Sequence, residues 1–426
     1  MAYDIFGIGS RLGRPSLGKG IGSRLPANQQ SWIAIPRFLQ ETEMHIRRLI
    51  SAITVPLAVA IVAPGCASTR SQPSLKPPSE AVKLSGVCPS TVVAQADWEP
   101  EAENGALYHL LGPGYRIDQS KKRVSAPLVI DGMNTGVNIE VRAGGPAVDF
   151  QTVPSLMYSH PEITLGMVST AQALTTYTLF PVTAVFAPLN KSPLMIMWDP
   201  ASHPTWRGIA DIGKSDAKVL VAPGALYTPL LVREGLLKQS QINASYDGTP
   251  TKFVTNPTIA LGSYVTYEPY FYEHYLSTWK KPVKYQMLAD VGYKDYESAL
   301  YVRTGSLRPL SACLSKLVPI LQRSLIEYIE HPAPTIQLIT EVVQRYNDGW
   351  IYDRGIGEYA ARAMRSLKIV ANDSSGPLGG MDVARMQSII AAYSSIYKEV
   401  GGKVKPNLTV ADVATNQFID KNITLR

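Results

Sequence analysis

The feature that most constrains this chain is a run of 17 residues without a charge, residues 49–65 (LISAITVPLAVAIVAPG), set between His45-Ile46-Arg47-Arg48 and Cys66. A cationic segment stays at the cytoplasmic face, an apolar run of this length with Pro56 inside it is too short to span comfortably, and small residues follow where a peptidase would cut. That order is the recipe for an export signal, so the body is expected to fold outside the cytoplasm; a retained single membrane anchor and a buried core helix are the alternatives. Charge supports export over a polyanion partner. The chain of 426 residues holds 41 Lys+Arg against 34 Asp+Glu, net +7, but residues 1–48 carry seven cations and three anions, so +4 lies ahead of the run and +3 in all the rest. No nucleic-acid partner is expected from so small a balance.

Small residues ahead of a cysteine look like a bacterial lipobox, in which Cys66 would be acylated and become the first mature residue; Pro64 and Ala63 depart from the usual pattern, which has Leu at the third position before the cysteine. Met44 would start a signal of ordinary length. Residues 1–43 are therefore expected to be a mis-called extension, 44–65 the lipoprotein signal and 66–82, rich in Ser and Pro, a tether. Gly13, Gly18 and Lys19 have the spacing of a phosphate-binding loop, but Gly20 stands where Ser or Thr is required and no strand precedes it. If Cys66 takes lipid, Cys88 and Cys313 remain, either two buried free thiols or a bridge that constrains the unfolded chain by roughly 4 to 5 kcal/mol. With no CxxC in the sequence, neither a metal cluster nor a redox pair is expected.

From Val82 onward, short apolar runs alternate with helical stretches: Val92-Val93, Ile139–Val141, Ile163–Val168, Val182–Phe186, Leu194–Trp198, Val219–Ala222, Tyr264–Tyr267 and Leu300–Val302. Interleaving of this kind argues for an α/β body with mostly parallel sheets. The last third is different. Leu310, Cys313, Leu314, Leu317, Ile320, Leu321, Leu325 and Ile329 recur at intervals of three and four, one face of an amphipathic helix, and similar patterns run through 336–346, 359–367 and 381–397. Thr409 and Asp412 have capping-box spacing for a short terminal helix.

Catalytic patterns are thin. The six histidines are scattered, and neither HExxH nor GxSxG occurs. Loops at strand ends are more suggestive, because open α/β sheets expose ligand crevices at the carboxyl ends of their strands. Val92–Gln95 leads into Asp97 and Trp98; Ile139–Arg142 leads into Gly144 and Gly145, where backbone can approach a ligand closely; Gly166–Val168 ends at Ser169, Thr170 and Gln172, with hydroxyls and amides at a helix start. In the second half, Val219–Ala222 ends at Gly224 and Tyr227, and Tyr264–Tyr267 ends at Glu268. Five such loops read as one crevice built by two lobes.

These residues also carry a family resemblance. ADWEPEAENGALYHLLG (96–112), EVRAGGPAVDF (140–150), APLNKSPLMIMWDP (187–200), the segment 205–237, SYVTYEP (263–269) and SACLSKLVP (311–319) resemble the NMT1/THI5-like branch of ABC-transporter substrate-binding proteins, which includes binders of thiamine-pyrimidine precursors, riboflavin, sulfonates and nitrate. The resemblance implies a two-lobed type II periplasmic-binding-protein fold, α/β with a hinge and a helical C-terminal portion, lobe 1 being residues 83–190 plus 303–426 and lobe 2 residues 191–302. Asp97, Trp98, Gly144, Gly145, Ser169, Thr170 and Gln172 would line the crevice from the first lobe, and Gly224, Tyr227 and Glu268 from the second. Some members are pyrimidine-forming enzymes that use a histidine in the first motif; here Asn104 stands at that position, which favours binding over catalysis.

The expected function is capture of a small molecule by a monomeric lipoprotein on the outer face of the cell membrane, for delivery to an ABC permease with its ATPase. No cofactor or metal is implied. Trp98 and Tyr227 suit stacking on an aromatic or heteroaromatic ring, at roughly 0.5 to 1.5 kcal/mol per face beyond area burial, and Asp97 or Glu268 would accept from an amine or ring N–H. A sulfonate or nitrate binder, for which Arg142 is the one nearby cation, a ring-modifying enzyme using Glu268 and a non-transport surface protein are the alternatives.

Overall fold

The computed structural model describes residues 75–373, 376–399 and 404–426. The expected extension 1–43, the signal 44–65, Cys66 and the first part of the tether lie outside the described residues. The tether's last part lies against the body: the Lys76 amide donates to the Gly132 carbonyl (3.0 Å) and the Lys76 carbonyl accepts from Asn134 (3.1 Å).

Twelve strands form two sheets: β1 (Thr91–Gln95), β2 (Arg116–Asp118), β3 (Arg123–Ile130), β4 (Met133–Arg142), β5 (Ile163–Val168), β6 (Val182–Phe186), β7 (Leu194–Trp198), β8 (Val219–Leu220), β9 (Ile242–Asn243), β10 (Ala260–Tyr264), β11 (Lys284–Met287) and β12 (Ala299–Arg303). The first sheet runs β2-β3-β4-β1-β5-β12-β6 and the second β11-β7-β10-β8-β9. Residue pattern explains placement. β5 (ITLGMV) is buried on both faces and lies mid-sheet, whereas β3 (RVSAPLVI) alternates and has one wet face.

Both sheets follow one plan. In the first, β4, β1 and β5 are parallel and β12 enters antiparallel between β5 and β6; in the second, β9, β8 and β10 are parallel and β7 enters antiparallel between β10 and β11. Each antiparallel intruder is the first strand laid down after the chain crosses from the other sheet. This is the two-lobed, twice-crossed α/β fold that was expected. The expectation of mostly parallel sheets is corrected: four of the ten pairings are parallel, because β7 and β12 run against their neighbours and β2–β3–β4 is an antiparallel extension. Since β12 belongs to the first sheet, the return crossing is complete by Ala299 rather than at residue 303.

The helical remainder packs on the first lobe and also reaches the second, where the Tyr359 hydroxyl donates to the Val265 carbonyl (3.0 Å). The helix Ser311–Glu330 buries Cys313, Leu314, Leu317, Ile320, Leu321 and Leu325, the face that its spacing marks. Cys313 is joined by a disulfide to Cys88, just ahead of β1, across a sequence separation of 225. Arg385, in the helix Val383–Glu399, clasps both crossings. Its guanidinium donates to the carbonyls of Asn190 (2.6 Å) on the first and of Lys294 (2.6 Å) and Asp295 (2.8 Å) on the second, and stacks over Tyr296 at 3.6 Å. No described helix is long and apolar enough to cross a membrane.

Candidate functional site

The carboxyl ends of the parallel strands in both sheets face one cavity of about 230 Å³. From the first lobe come Asp97, Trp98 and Glu101 after β1, and Ser169 and Gln172 after β5; from the second come Gly224 and Tyr227 after β8, and Ser263, Tyr264 and Glu268 at the end of β10. The second crossing adds Tyr293 and Glu297, and the loop between two C-terminal helices adds Trp350. Seven residues expected from the sequence therefore meet here: Asp97, Trp98, Ser169, Gln172, Gly224, Tyr227 and Glu268.

Gly144, Gly145 and Thr170 do not line it. The two glycines stand behind Trp98. A Cβ on Gly144 would lie 2.2 Å from the Ala96 carbonyl oxygen, and one on Gly145, whose φ is +55°, would lie 2.6 Å from the Trp98 ring. Their missing side chains let the loop after β4 pass under the tryptophan, which also meets Phe150 at 5.8 Å between ring centroids. Thr170 is fully buried. The amides of that helix start, expected to be free for a polar group, are occupied: Thr170 N–H donates to the Tyr296 carbonyl (3.1 Å), Ala171 to the Asp295 carboxylate (3.0 and 3.2 Å) and Gln172 to Ser169 Oγ (3.2 Å). What reaches the cavity is the side chains of Ser169 and Gln172.

The walls are acidic and aromatic. Glu101, Glu268 and Glu297 are 4, 7 and 6% exposed, and none of them, nor Asp97, forms an ion pair among the described residues. Their donors are neutral. Asp97 Oδ2 accepts from Ser298 Oγ (2.6 Å) while Oδ1 is buried without a partner; Glu268 accepts from the Tyr264 amide (3.0 Å), and Glu297 from the Tyr293 hydroxyl (2.7 Å). Behind Glu101, Glu103 accepts from the Thr266 hydroxyl. Burial pushes the Glu268 carboxyl up to about 8. Burial, followed by repulsion from Glu103, Asp97 and Glu268, raises Glu101, and burial with the neighbouring Asp295 raises Glu297. Arg142, the candidate cation for an anion, pairs with Glu140 (2.7 Å) and Glu162 (3.0 Å), and among the described residues no Lys, Arg or His lines the cavity.

Aromatic rings close the rest. Tyr267 and Trp350 stack at 4.6 Å, with Tyr267 donating to the Ile351 carbonyl (2.8 Å) and Trp350 Nε1 to the Pro100 carbonyl (3.1 Å), so the helical tail is tied to both lobes at the cavity. Tyr227 meets Tyr293 edge-on at 6.4 Å, and its hydroxyl occupies the space a side chain on Gly262 would need. Asn104 is wholly buried, donates to Met167 Sδ and does not reach the cavity. Among the described residues no group of three His, Cys, Asp or Glu side chains converges as a metal site would.

No known family profile matches the chain, and no curated protein matches it. Solved structures do. The alkanesulfonate-binding protein of Xanthomonas axonopodis pv. citri bound to MOPS is 11% identical over 77% of this chain and 98% of its own, TM-score 0.48. The periplasmic aliphatic sulphonate binding protein of Escherichia coli is 10% identical over 76 and 92%, TM-score 0.48. An ABC transporter protein of Parabacteroides distasonis is 11% identical over 77 and 100%, TM-score 0.46. Likeness at this level does not say what this cavity takes.

Proposed function

We propose that the chain is an extracytoplasmic solute-binding protein of an ABC importer. It takes a small ring-bearing molecule between its lobes, closes about the two crossings, and presents the closed form to a permease with its ATPase. One observation carries the reading: strand-end loops of both sheets converge on one cavity, and among the described residues the chain passes between the two sheets twice. Its volume, about 230 Å³, exceeds the ~150 Å³ that suffices for benzene, so one substituted ring fits. In the same reading Cys66 carries the lipid that holds a monomeric receptor at the membrane.

The test is binding without turnover. A ring-bearing ligand found by thermal shift should be recovered unchanged after denaturation, and Trp98→Ala should abolish the stabilisation. Time-dependent conversion of the ligand would instead make the protein an enzyme on this fold. Labelled palmitate should enter the full chain and not Cys66→Ser; label in both would remove the anchor.

A further inference from the structure

We infer that the molecule taken by this cavity is an organic cation, a flat ring carrying a positive charge. The inference rests on the solute-binding reading above and names its substrate class.

Four carboxyl groups face the cavity from three separate segments: Asp97 and Glu101 after β1, Glu268 after β10 and Glu297 on the second crossing. Glu268 and Glu297 take neutral donors from their own segments and Asp97 takes one, Ser298, from the second crossing, and among the described residues no basic side chain lines the cavity beside the acids. A buried carboxylate without a counter-charge is costly. Burial raises all four carboxyls above their ordinary range, which favours their neutral forms in the empty site. A cation placed among them makes the ionised forms favourable again.

Two further observations point to a bound molecule. Ser263 Oγ, on a wall residue 6% exposed, has no hydrogen-bond partner, and Asp97 Oδ1 is in the same condition. Aromatic side chains share the lining, among them Trp98, Tyr227 and Trp350, and an aromatic face attracts a cation, more strongly where water is excluded. An inorganic cation fits poorly, because the acids are spread over the walls and among the described residues no three of them are grouped closely enough to hold a metal ion. An anion finds no positive side chain among the described residues that line the cavity.

The test compares three probes of one shape by calorimetry at about pH 8: benzamidine, benzamide and benzoate, each to about 10 mM, ten times a Kd worth ~4 kcal/mol. Benzamidine should bind at least about tenfold more tightly than benzamide, with no heat from benzoate; a tenfold ratio is ~1.4 kcal/mol, a modest demand on a desolvated ion pair. Glu297→Gln and Glu268→Gln should each weaken benzamidine by about tenfold, more than either weakens benzamide. The comparison on the unaltered protein needs neither variant to fold. Benzamide or benzoate binding as well as benzamidine would overturn the charge assignment and leave the receptor reading standing. Stabilisation by Ca2+ without any ring probe would overturn it in favour of a metal site. No binding by any of the three would overturn the receptor reading itself, and this inference with it.

Discussion

Replacing Glu268 by Gln should make the empty protein more stable, and by an amount that depends on pH. Glu268 is buried at the first position of the helix Glu268–His274, accepting from the Tyr264 amide, and its carboxyl is raised by burial to about 8 from an ordinary 4.5. Below pH 4.5 the folded and unfolded chains both hold the proton and the group costs nothing. Between 4.5 and 8 the folded chain keeps a proton that the unfolded chain has released, so stability falls as pH rises; above 8 the loss is complete. A gap of about three and a half pH units at ~1.4 kcal/mol each gives about 5 kcal/mol. Gln is neutral in both states and keeps the acceptor for Tyr264. The variant should therefore equal the parent near pH 4.5 and exceed it by up to ~5 kcal/mol at pH 8, or about 6 to 7 °C in Tm for a body of roughly 350 residues at ~2.1 cal/mol/K per residue. Urea unfolding of ligand-free protein at four pH values measures the difference directly. A difference that stays constant with pH, or a variant less stable at pH 8, would refute the assignment of Glu268 as a buried, protonated acid.

Other expectations are narrower. Gly145→Ala should cut affinity for any ring-bearing ligand by about fivefold, because the new Cβ displaces the Trp98 ring, a loss on the scale of ~1 kcal/mol for a misplaced stacking partner; calorimetry on folded variant checks it, and unchanged affinity would detach the glycine from the site. Arg385→Ala should destabilise by about 3 kcal/mol, with Lys recovering less than half, since only the planar guanidinium reaches three carbonyls; full rescue by Lys would show that charge alone matters. Replacing both Cys88 and Cys313 by Ala should cost ~2 to 5 kcal/mol in urea unfolding, and free thiols in exported parent protein would show that the bridge does not form in the cell.

Much of the scaffold is legible in the sequence because strands buried on both faces leave continuous apolar runs. The runs at 163–168, 182–186 and 194–198 coincide with β5, β6 and β7. The strand read at 264–267 is displaced: β10 is Ala260–Tyr264, whose small residues carry little apolar signal, while Pro269 starts a helix in the tyrosine-rich part. The amphipathic helix beginning near 310 and the Thr409–Asp412 cap are both present, since a face of three-and-four spacing and a capping pair are local. At the site, Asp97, Trp98, Tyr227 and Glu268 are found by their place at strand ends. Glu101 and Glu297 were missed because composition alone does not separate a buried acid from a solvated one. The dense acids in DWEPEAEN were a readable hint for the first. Nothing local brings Glu297 to Asp97; only the return crossing does, across the 201 residues that separate Ser298 from its partner. Trp350 reaches the cavity through the packing of the helical tail, which no periodicity encodes.

The disulfide has a mechanical consequence. Tension applied to the chain from its amino side arrives at Cys88, three residues before β1 begins at Thr91. There the covalent bridge opens a second path, into the first turn of the helix Ser311–Glu330, beside the main-chain path into β1. Asp97 and Trp98, carried at the far end of that strand, therefore share with the helical layer whatever load comes from the segment ahead of residue 88.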